Sequence, residues 1–457
     1  MRLLRRALVA GALALSMAAG PTTAADPTPA PTQTPIHHAI FLMQEGHSFD
    51  NLFGVYPGVD GIPPGTCVLV DPSVVASGCA APLWVGDRVV PQLDQSSNAF
   101  GTQFDGGKMD GFVAAQADAG ADARLTMGYY DDREVPFGWN VADAFVLLDR
   151  YFGSAKGGSA ANHMYWISGA KGSPTDALPP AGYGNLPTVF DRLQAAGVSW
   201  KFYVQNYDPS ITFRNKQGLI DRGTQVERVP LLAFARFVDN AALFGHIVDL
   251  SQYYTDLEQG TLPAVSYIVP AGGGAHTPSS VHTEQLLAGS LIGGLARSAA
   301  WSSSMLLWTY DNSGGWYDHV KPPQVDADGL GFRVPALLVS PYARKGYVDK
   351  TQLDHTAAVH FITTNWGLQP LAARDKASAS LMGGLDFANP GRPPLFVGST
   401  RPGTGVHKEP QRSIIFLAYG SALALAVVLI TVAALRTRRG RAADQGRAAD
   451  HARKDRE

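Results

Sequence analysis

Five short apolar runs separated by helical patterns constrain the fold of this chain more than any other feature. The runs are Ala39–Met43, Val198–Val204, Ala264–Val269, Met305–Tyr310 and Val334–Val339. Their length and continuity suit strands buried on both faces. Between them lie Leu186–Ala196 closed by Gly197, Thr283–Ala299, and Asp354–Trp366 with Asp354 as N-cap and Gly367 as C-cap. The alternation predicts an α/β fold with a largely parallel central sheet covered by helices on both faces. In such sheets ligands sit at the carboxyl ends of the strands, which states in advance where chemistry should lie.

The two ends of the chain read differently from its middle. Residues 1–25 have the form of a signal peptide: Arg2, Arg5 and Arg6 precede the apolar stretch Ala7–Ala19, and Thr23-Ala24-Ala25 offers small residues for cleavage. Residues 26–35 form a Pro/Thr linker. Residues 36–395 show no repeat and no linker-like break, so they are expected to form one catalytic domain, followed by a juxtamembrane linker over 396–413. Residues 414–435 are uncharged; at about 1.5 Å per residue they reach about 33 Å, enough to cross a bilayer as one helix. Arg436, Arg438, Arg439 and Arg441 follow, which orients the tail 436–457 toward the cytoplasm. The expected location is the cell membrane, single-pass, with the bulk of the chain extracytoplasmic.

Charge narrows the partners. Residues 26–435 carry 26 basic against 35 acidic side chains. Nucleic-acid binding rests on an excess of Lys and Arg, so that class is excluded. The two cysteines, Cys67 and Cys79, lie in a Gly/Pro-rich stretch of the exported part and are expected to pair, because that compartment is oxidising.

Polar residues collect where the strand-end rule demands. Glu45 follows the first run, and Asp311-Asn312-Ser313-Gly314-Gly315-Trp316-Tyr317-Asp318-His319 follows Met305–Tyr310. His276 lies in a glycine-rich loop after Ala264–Val269. Ser159, Asn162 and His163 stand between two helical stretches, and Asp354-His355-Thr356 opens a helix. Each has a plain structural use: Glu45 and Asp354 can cap helices, Asp318 can form a turn. Together they suit metal-assisted ester hydrolysis, with oxygen ligands for a divalent cation, a hydroxyl nucleophile and imidazoles for proton transfer or oxyanion binding.

The order of these blocks resembles the bacterial phosphoesterase family of non-specific phospholipases C and a respiratory-burst-inhibiting acid phosphatase, within the alkaline-phosphatase-like superfamily. Met43-Gln44-Glu45-x-x-Ser48-Phe49-Asp50-Asn51-x-Phe53-Gly54 is similar to the family's opening block. Gly107-Lys108-Met109-Asp110-Gly111-Phe112 and Met127-Gly128-Tyr129-Tyr130 resemble its next landmarks. Ser159-Ala160-Ala161-Asn162-His163-Met164-Tyr165 resembles the nucleophile block, and Thr309-Tyr310-Asp311-Asn312-x-Gly314-Gly315-Trp316-Tyr317-Asp318-His319-Val320-x-Pro322-Pro323 the most diagnostic one. Ser340-Pro341-Tyr342-Ala343 and Asp354-His355-Thr356 complete the set, which runs from Ile36 to the Asp386-Phe387 region.

The resemblance implies a hydrolase of phosphate esters, of acid phosphatase or phospholipase C type, with a covalent step on Ser159. A divalent metal would hold the serine as alkoxide, with Glu45 and Asp311 as ligands and Asn312 at a further ligand position. Asn162 would donate to a phosphoryl oxygen. His276 and His355 would bind the phosphoryl group or protonate the leaving oxygen, and His163, Asp318, His319 and Asp354 would support the site from behind. The substrate would be a phosphate monoester or a phospholipid; the lack of further C-terminal modules tilts toward a phosphatase or small phosphodiesterase. Two departures remove ligands or charge: the family's Asn after the first Glu is Gly46, and the carboxylate that usually follows Asp311 is the amide Asn312. A third replaces the usual Arg by His47, and a fourth places Ala275 before the loop histidine. The second reading is therefore an attenuated or inactive member that binds phosphorylated ligands at the surface.

Overall fold

The computed structural model describes residues 30–86, 90–117, 122–215, 222–270 and 281–401. The chain divides into two units, Met1–Arg401 and Pro402–Glu457, and the described residues all belong to the first. The predicted signal peptide, residues 26–29 of the linker, the membrane run 414–435 and the tail lie outside them. Among the described residues no helix is long and apolar enough to cross a membrane.

The centre is an eight-stranded sheet. Its strands are β1 (His38–Gln44), β2 (Val146–Leu148), β3 (Trp200–Val204), β4 (Ile247–Asp249), β5 (Val265–Val269), β6 (Ser304–Tyr310), β7 (Ala336–Val339) and β8 (Tyr347–Asp349). Their order across the sheet is β8-β2-β7-β6-β1-β5-β3-β4. Only β7 runs against the others, pairing antiparallel with both β6 and β2. The largely parallel sheet is as the apolar runs predicted, and the five runs supply five of its strands. Three strands went unread. β2, β4 and β8 are three residues each, too short to give a period. β1 and β6, at the centre, are buried along almost their whole length, and apolar side chains point to both faces.

The helices that matter for the site are α1 (Phe49–Phe53), α2 (Pro136–Ala144), α3 (Ser159–Ser168), α4 (Val189–Ala195), α5 (Arg222–Arg228), α6 (Ser251–Gln259), α7 (Val281–Arg297) and α8 (Thr356–Asn365). The block Ser159–Tyr165, read from the sequence as a connection, is the first part of α3. Gly157 and Gly158, both at positive φ, make the turn that enters it. α3 packs against α5 and α8. Cys67 and Cys79 form the expected disulfide, with Cα atoms 5.4 Å apart.

One fully buried arginine ties the amino-terminal block to the sheet. Arg333 reaches Asp50 Oδ1 at 3.0 Å, Asp318 Oδ1 at 3.1 Å and Asp149 Oδ1 at 3.2 Å, and lies over the Phe49 ring. It also donates to the carbonyls of Asp60 and Asp149. Asp149 directly follows β2, Asp50 lies in α1, and Asp318 belongs to the loop after β6. Removing one partner of a buried ion cluster leaves the others uncompensated, which costs about 3–5 kcal/mol. Arg333→Met is expected to lower the urea midpoint of the folded protein accordingly, at an unchanged slope, measured by tryptophan fluorescence.

Candidate active site

The site begins with the register of two central strands. Gln44 pairs with Tyr310 across the parallel β1–β6 ladder, and the Asp311 amide donates to the Gln44 carbonyl at 2.8 Å. Glu45 and Asp311 therefore leave the sheet side by side. Gln44, fully buried, fixes the level: its Nε2 donates to the Glu284 carbonyl of α7 at 2.9 Å, and its Oε1 accepts from Trp308 Nε1 at 2.6 Å.

The two loops then lock together through glycines. Gly46 has φ +66° and Gly314 φ +63°. A Cβ on Gly314 would stand 1.9 Å from the Gly46 carbonyl oxygen, so no other residue fits there. The Gly46 amide donates to Asp311 Oδ1 at 2.9 Å. The position that appeared from the sequence to have lost a ligand thus holds the neighbouring carboxylate through its backbone.

Around this pair stand Ser159, His163 and Asn312. Ser159 Oγ lies 3.5 Å from Glu45 Oε2 and accepts from Asn312 Nδ2 at 3.3 Å. Ser159 is the first residue of α3, where helix amides and the helix dipole favour negative charge on its oxygen. His163 is one helical turn further on, so both side chains share a face. Its Nε2 is 3.5 Å from Glu45 Oε1, and the structure brings this imidazole among the donors rather than behind them. That spacing was visible in the sequence, but only to a reading that started the helix at Ser159. Asn162 is fully buried and braces the turn before Ser159: its Oδ1 accepts from the Ala155 amide at 2.9 Å and its Nδ2 donates to the Gly158 carbonyl at 2.8 Å.

A divalent metal fits this donor set. Ligand atoms of Glu45, His163 and Asp311 all lie within 4.8 Å of one another. Neither ring nitrogen of His163 has a hydrogen-bond partner among the described residues, an orphaned buried group that a cation would satisfy. Carboxylates with one imidazole suit a hard or borderline cation. Asn312 departs from its expected ligand role. Its Oδ1 accepts from the Gly314 amide at 2.8 Å, while its Nδ2 donates to Asp311 Oδ2 at 2.9 Å, so the amide turns protons and not a lone pair toward the site.

The charges of Glu45 and Asp311 act on each other. Burial works to raise Glu45, but Arg228 and His163 outweigh it and hold the carboxyl at about 2. For Asp311, burial and the Glu45 charge together win over His163 and the Ser159 hydroxyl and push it up to about 6. Arg228 was not singled out in the sequence. It closes α5, is almost fully buried, and its Nε stands 2.8 Å from Glu45 Oε1. No local pattern marks it, since its partner is 183 positions away in the chain.

The other expected residues fall elsewhere. His276 lies outside the described residues. His355 is fully buried, donates Nε2–H to the Asp311 carbonyl at 2.8 Å, and burial drives it down to about 3. It is a neutral brace behind Asp311 in this arrangement, since a proton on its second nitrogen would be a buried, unpaired charge. Asp354, expected as the N-cap, stands one residue before it: its carboxylate accepts from the Thr356 amide at 2.8 Å, while His355 holds the N-cap position of α8. A cavity lined by Asp326, Leu330, Leu353, Asp354 and Arg374 contains none of Glu45, Ser159 or Asp311.

Comparison with known proteins decides the family. The model of the Phosphoesterase family matches residues 36–369, most of the chain. The chain belongs to this family. Phospholipase C B of Mycobacterium tuberculosis (strain ATCC 25618 / H37Rv) is 28% identical over 421 residues, covering 79% of each chain. Non-specific phospholipase C6 of Arabidopsis thaliana is 27% identical over 354 residues, covering 69% of this chain and 64% of its own. A solved protein of the alkaline phosphatase superfamily from Vibrio parahaemolyticus is similar at 10% identity and a TM-score of 0.37, covering 74% of this chain and 70% of its own. The protein is a phosphoric ester hydrolase.

Asp318 and His319 of this phosphoesterase belong to the Arg333 cluster and not to the Glu45 group. His319 Nδ1 is 2.7 Å from Asp50 Oδ2 and its Nε2 is 3.3 Å from Asp60 Oδ1. Burial lowers its pKa, but Asp50 and Asp318 raise it by more, against the opposing charge of Arg333, and the net shift is upward. A histidine raised above its unfolded value stabilises the fold fully below that value, near pH 6.5, and the contribution fades as pH rises through the folded pKa. His319→Gln is expected to cost about 1–2 kcal/mol at pH 5.5 and clearly less at pH 9, measured by urea denaturation at both pH values.

Proposed function

We propose that this phosphoesterase cleaves phospholipid head-group esters outside the cell membrane to which residues 414–435 anchor it, with Ser159 as nucleophile. One observation carries the reading: Ser159 Oγ stands at the start of α3 between Glu45 Oε2 and Asn312 Nδ2. Phospholipases C among the relatives support the substrate class. The uncharged run and the arginines after it support the anchor.

In the reaction Ser159 Oγ attacks phosphorus and the phosphorus–oxygen bond to the diacylglycerol breaks, leaving the head-group phosphate on the serine. Water then attacks the phosphoserine and releases the phosphorylated head group. Asn312 Nδ2–H holds the serine oxygen in place, and the α3 amides favour charge developing on it. Asn162 keeps the turn 155–158 closed so that Ser159 stays on its helix. A divalent cation held by Glu45, His163 and Asp311 supplies, when bound, the charge that lets a serine ionise near neutral pH. His276 is assigned the protonation of the leaving oxygen on the family resemblance.

The purified full chain is expected to turn over p-nitrophenyl phosphorylcholine faster than p-nitrophenyl phosphate, to lose activity to a chelator and to regain it with a divalent cation. Ser159→Ala is expected to lower kcat at least about a thousandfold, the size of effect seen when a nucleophile is removed. Turnover equal in wild type and Ser159→Ala with every cation would overturn the enzyme reading of this site. Faster turnover of the monoester would make the protein a phosphatase.

A further inference from the structure

The Glu45 carboxylate divides its two oxygens among three neighbours. Oε1 meets Arg228 Nε at 2.8 Å and His163 Nε2 at 3.5 Å, whereas Oε2 faces Ser159 Oγ at 3.5 Å. Arg228 is itself held: its Nη1 donates to the Pro270 carbonyl at 2.9 Å, just past the end of β5. Its side chain is 4% exposed, so the guanidinium has no freedom to swing into solvent without giving up its contacts to Glu45 and the Pro270 carbonyl.

We propose that Arg228 is a positioning residue and a resident cation of the active site, which leaves Glu45 one oxygen for the metal and lowers the affinity for that metal. The inference rests on the metal reading above. A carboxylate with one oxygen paired in charge with a guanidinium at 2.8 Å offers a cation the other oxygen more readily, here the one next to the nucleophile. The charge count points the same way. Glu45 and Asp311 contribute two negative charges and Arg228 one positive, so the described site carries a net single negative charge. Affinity of oxygen-ligand sites is set largely by carboxylate count, and a fixed positive charge beside a ligand acts like the loss of one carboxylate. Gly46 and Asn312 act in the same direction. The site is thus built for a cation that is held loosely, with the serine side of Glu45 kept open.

The test is calorimetric titration of chelator-stripped full-length protein with Mn²⁺ alone, on wild type, Arg228→Lys, Arg228→Gln and Arg228→Met, each checked for native circular dichroism. Arg228→Gln or Arg228→Met, whichever is folded, is expected to bind Mn²⁺ about tenfold or more tightly than wild type. Arg228→Lys, which keeps the charge, is expected to stay within about threefold of wild type. In the same variants kcat should fall, because Glu45 can turn both oxygens to the metal and away from the register that serves Ser159; the lysine should restore part of it. Equal or weaker Mn²⁺ binding by the neutral variants overturns the role given to Arg228 while leaving the metal site intact. No heat of binding in any variant, wild type included, overturns the metal reading itself and this inference with it.

Discussion

One hydrogen bond, from the Asp311 amide to the Gln44 carbonyl, sets the level at which two loops leave the sheet. Because β1 and β6 are parallel and in register, Glu45 and Asp311 leave the same edge at the same height. A slip of one residue would turn alternate side chains to the opposite face and part the two carboxylates. The buried Gln44 side chain guards against that slip, since it bonds both Trp308 and α7. The glycine pair Gly46 and Gly314 then lets the two loops touch backbone to backbone.

Placing two carboxylates together has an electrostatic cost, and the neighbours share it unevenly. Burial and Glu45 push Asp311 up, while Arg228 and His163 keep Glu45 ionised. A buried like-charge pair of this kind destabilises a metal-free fold and is what a cation would relieve. The second cluster solves the same problem differently. There Arg333 lies among Asp50, Asp149 and Asp318, and Asp50 bonds His319, so the charges are compensated by the chain itself. Both clusters draw on the same two sequence blocks, yet one is closed by side chains and the other leaves the two His163 nitrogens without hydrogen bonds among the described residues.

Much of this was legible beforehand. The five apolar runs gave the central strands because buried strands of four or more apolar residues need no partner to be recognised. Glu45, Ser159 and Asp311 stood out as polar residues where strands or glycine-rich turns end. The assignments that changed are those that depend on direction rather than identity. Asn312 was read as a ligand position, but a backbone amide takes its oxygen and turns its nitrogen to Ser159. His355 was read as binding the phosphoryl group or protonating the leaving oxygen, but it stands behind Asp311 as a buried neutral brace. Gly46 was read as a loss, and its amide holds Asp311.

The sequence by itself determined the fold class, the order of the blocks, the disulfide and the family, because periodicity, composition and motif order are properties of the chain read in one dimension. The tertiary structure alone decided which side chains meet: His163 with Glu45, Arg228 with the same carboxylate, Arg333 with Asp318 and with Asp50 and Asp149 far from it in the chain. Pairings of that kind depend on the register of strands and the direction of side chains, and these are fixed only when the sheet and its helices pack together.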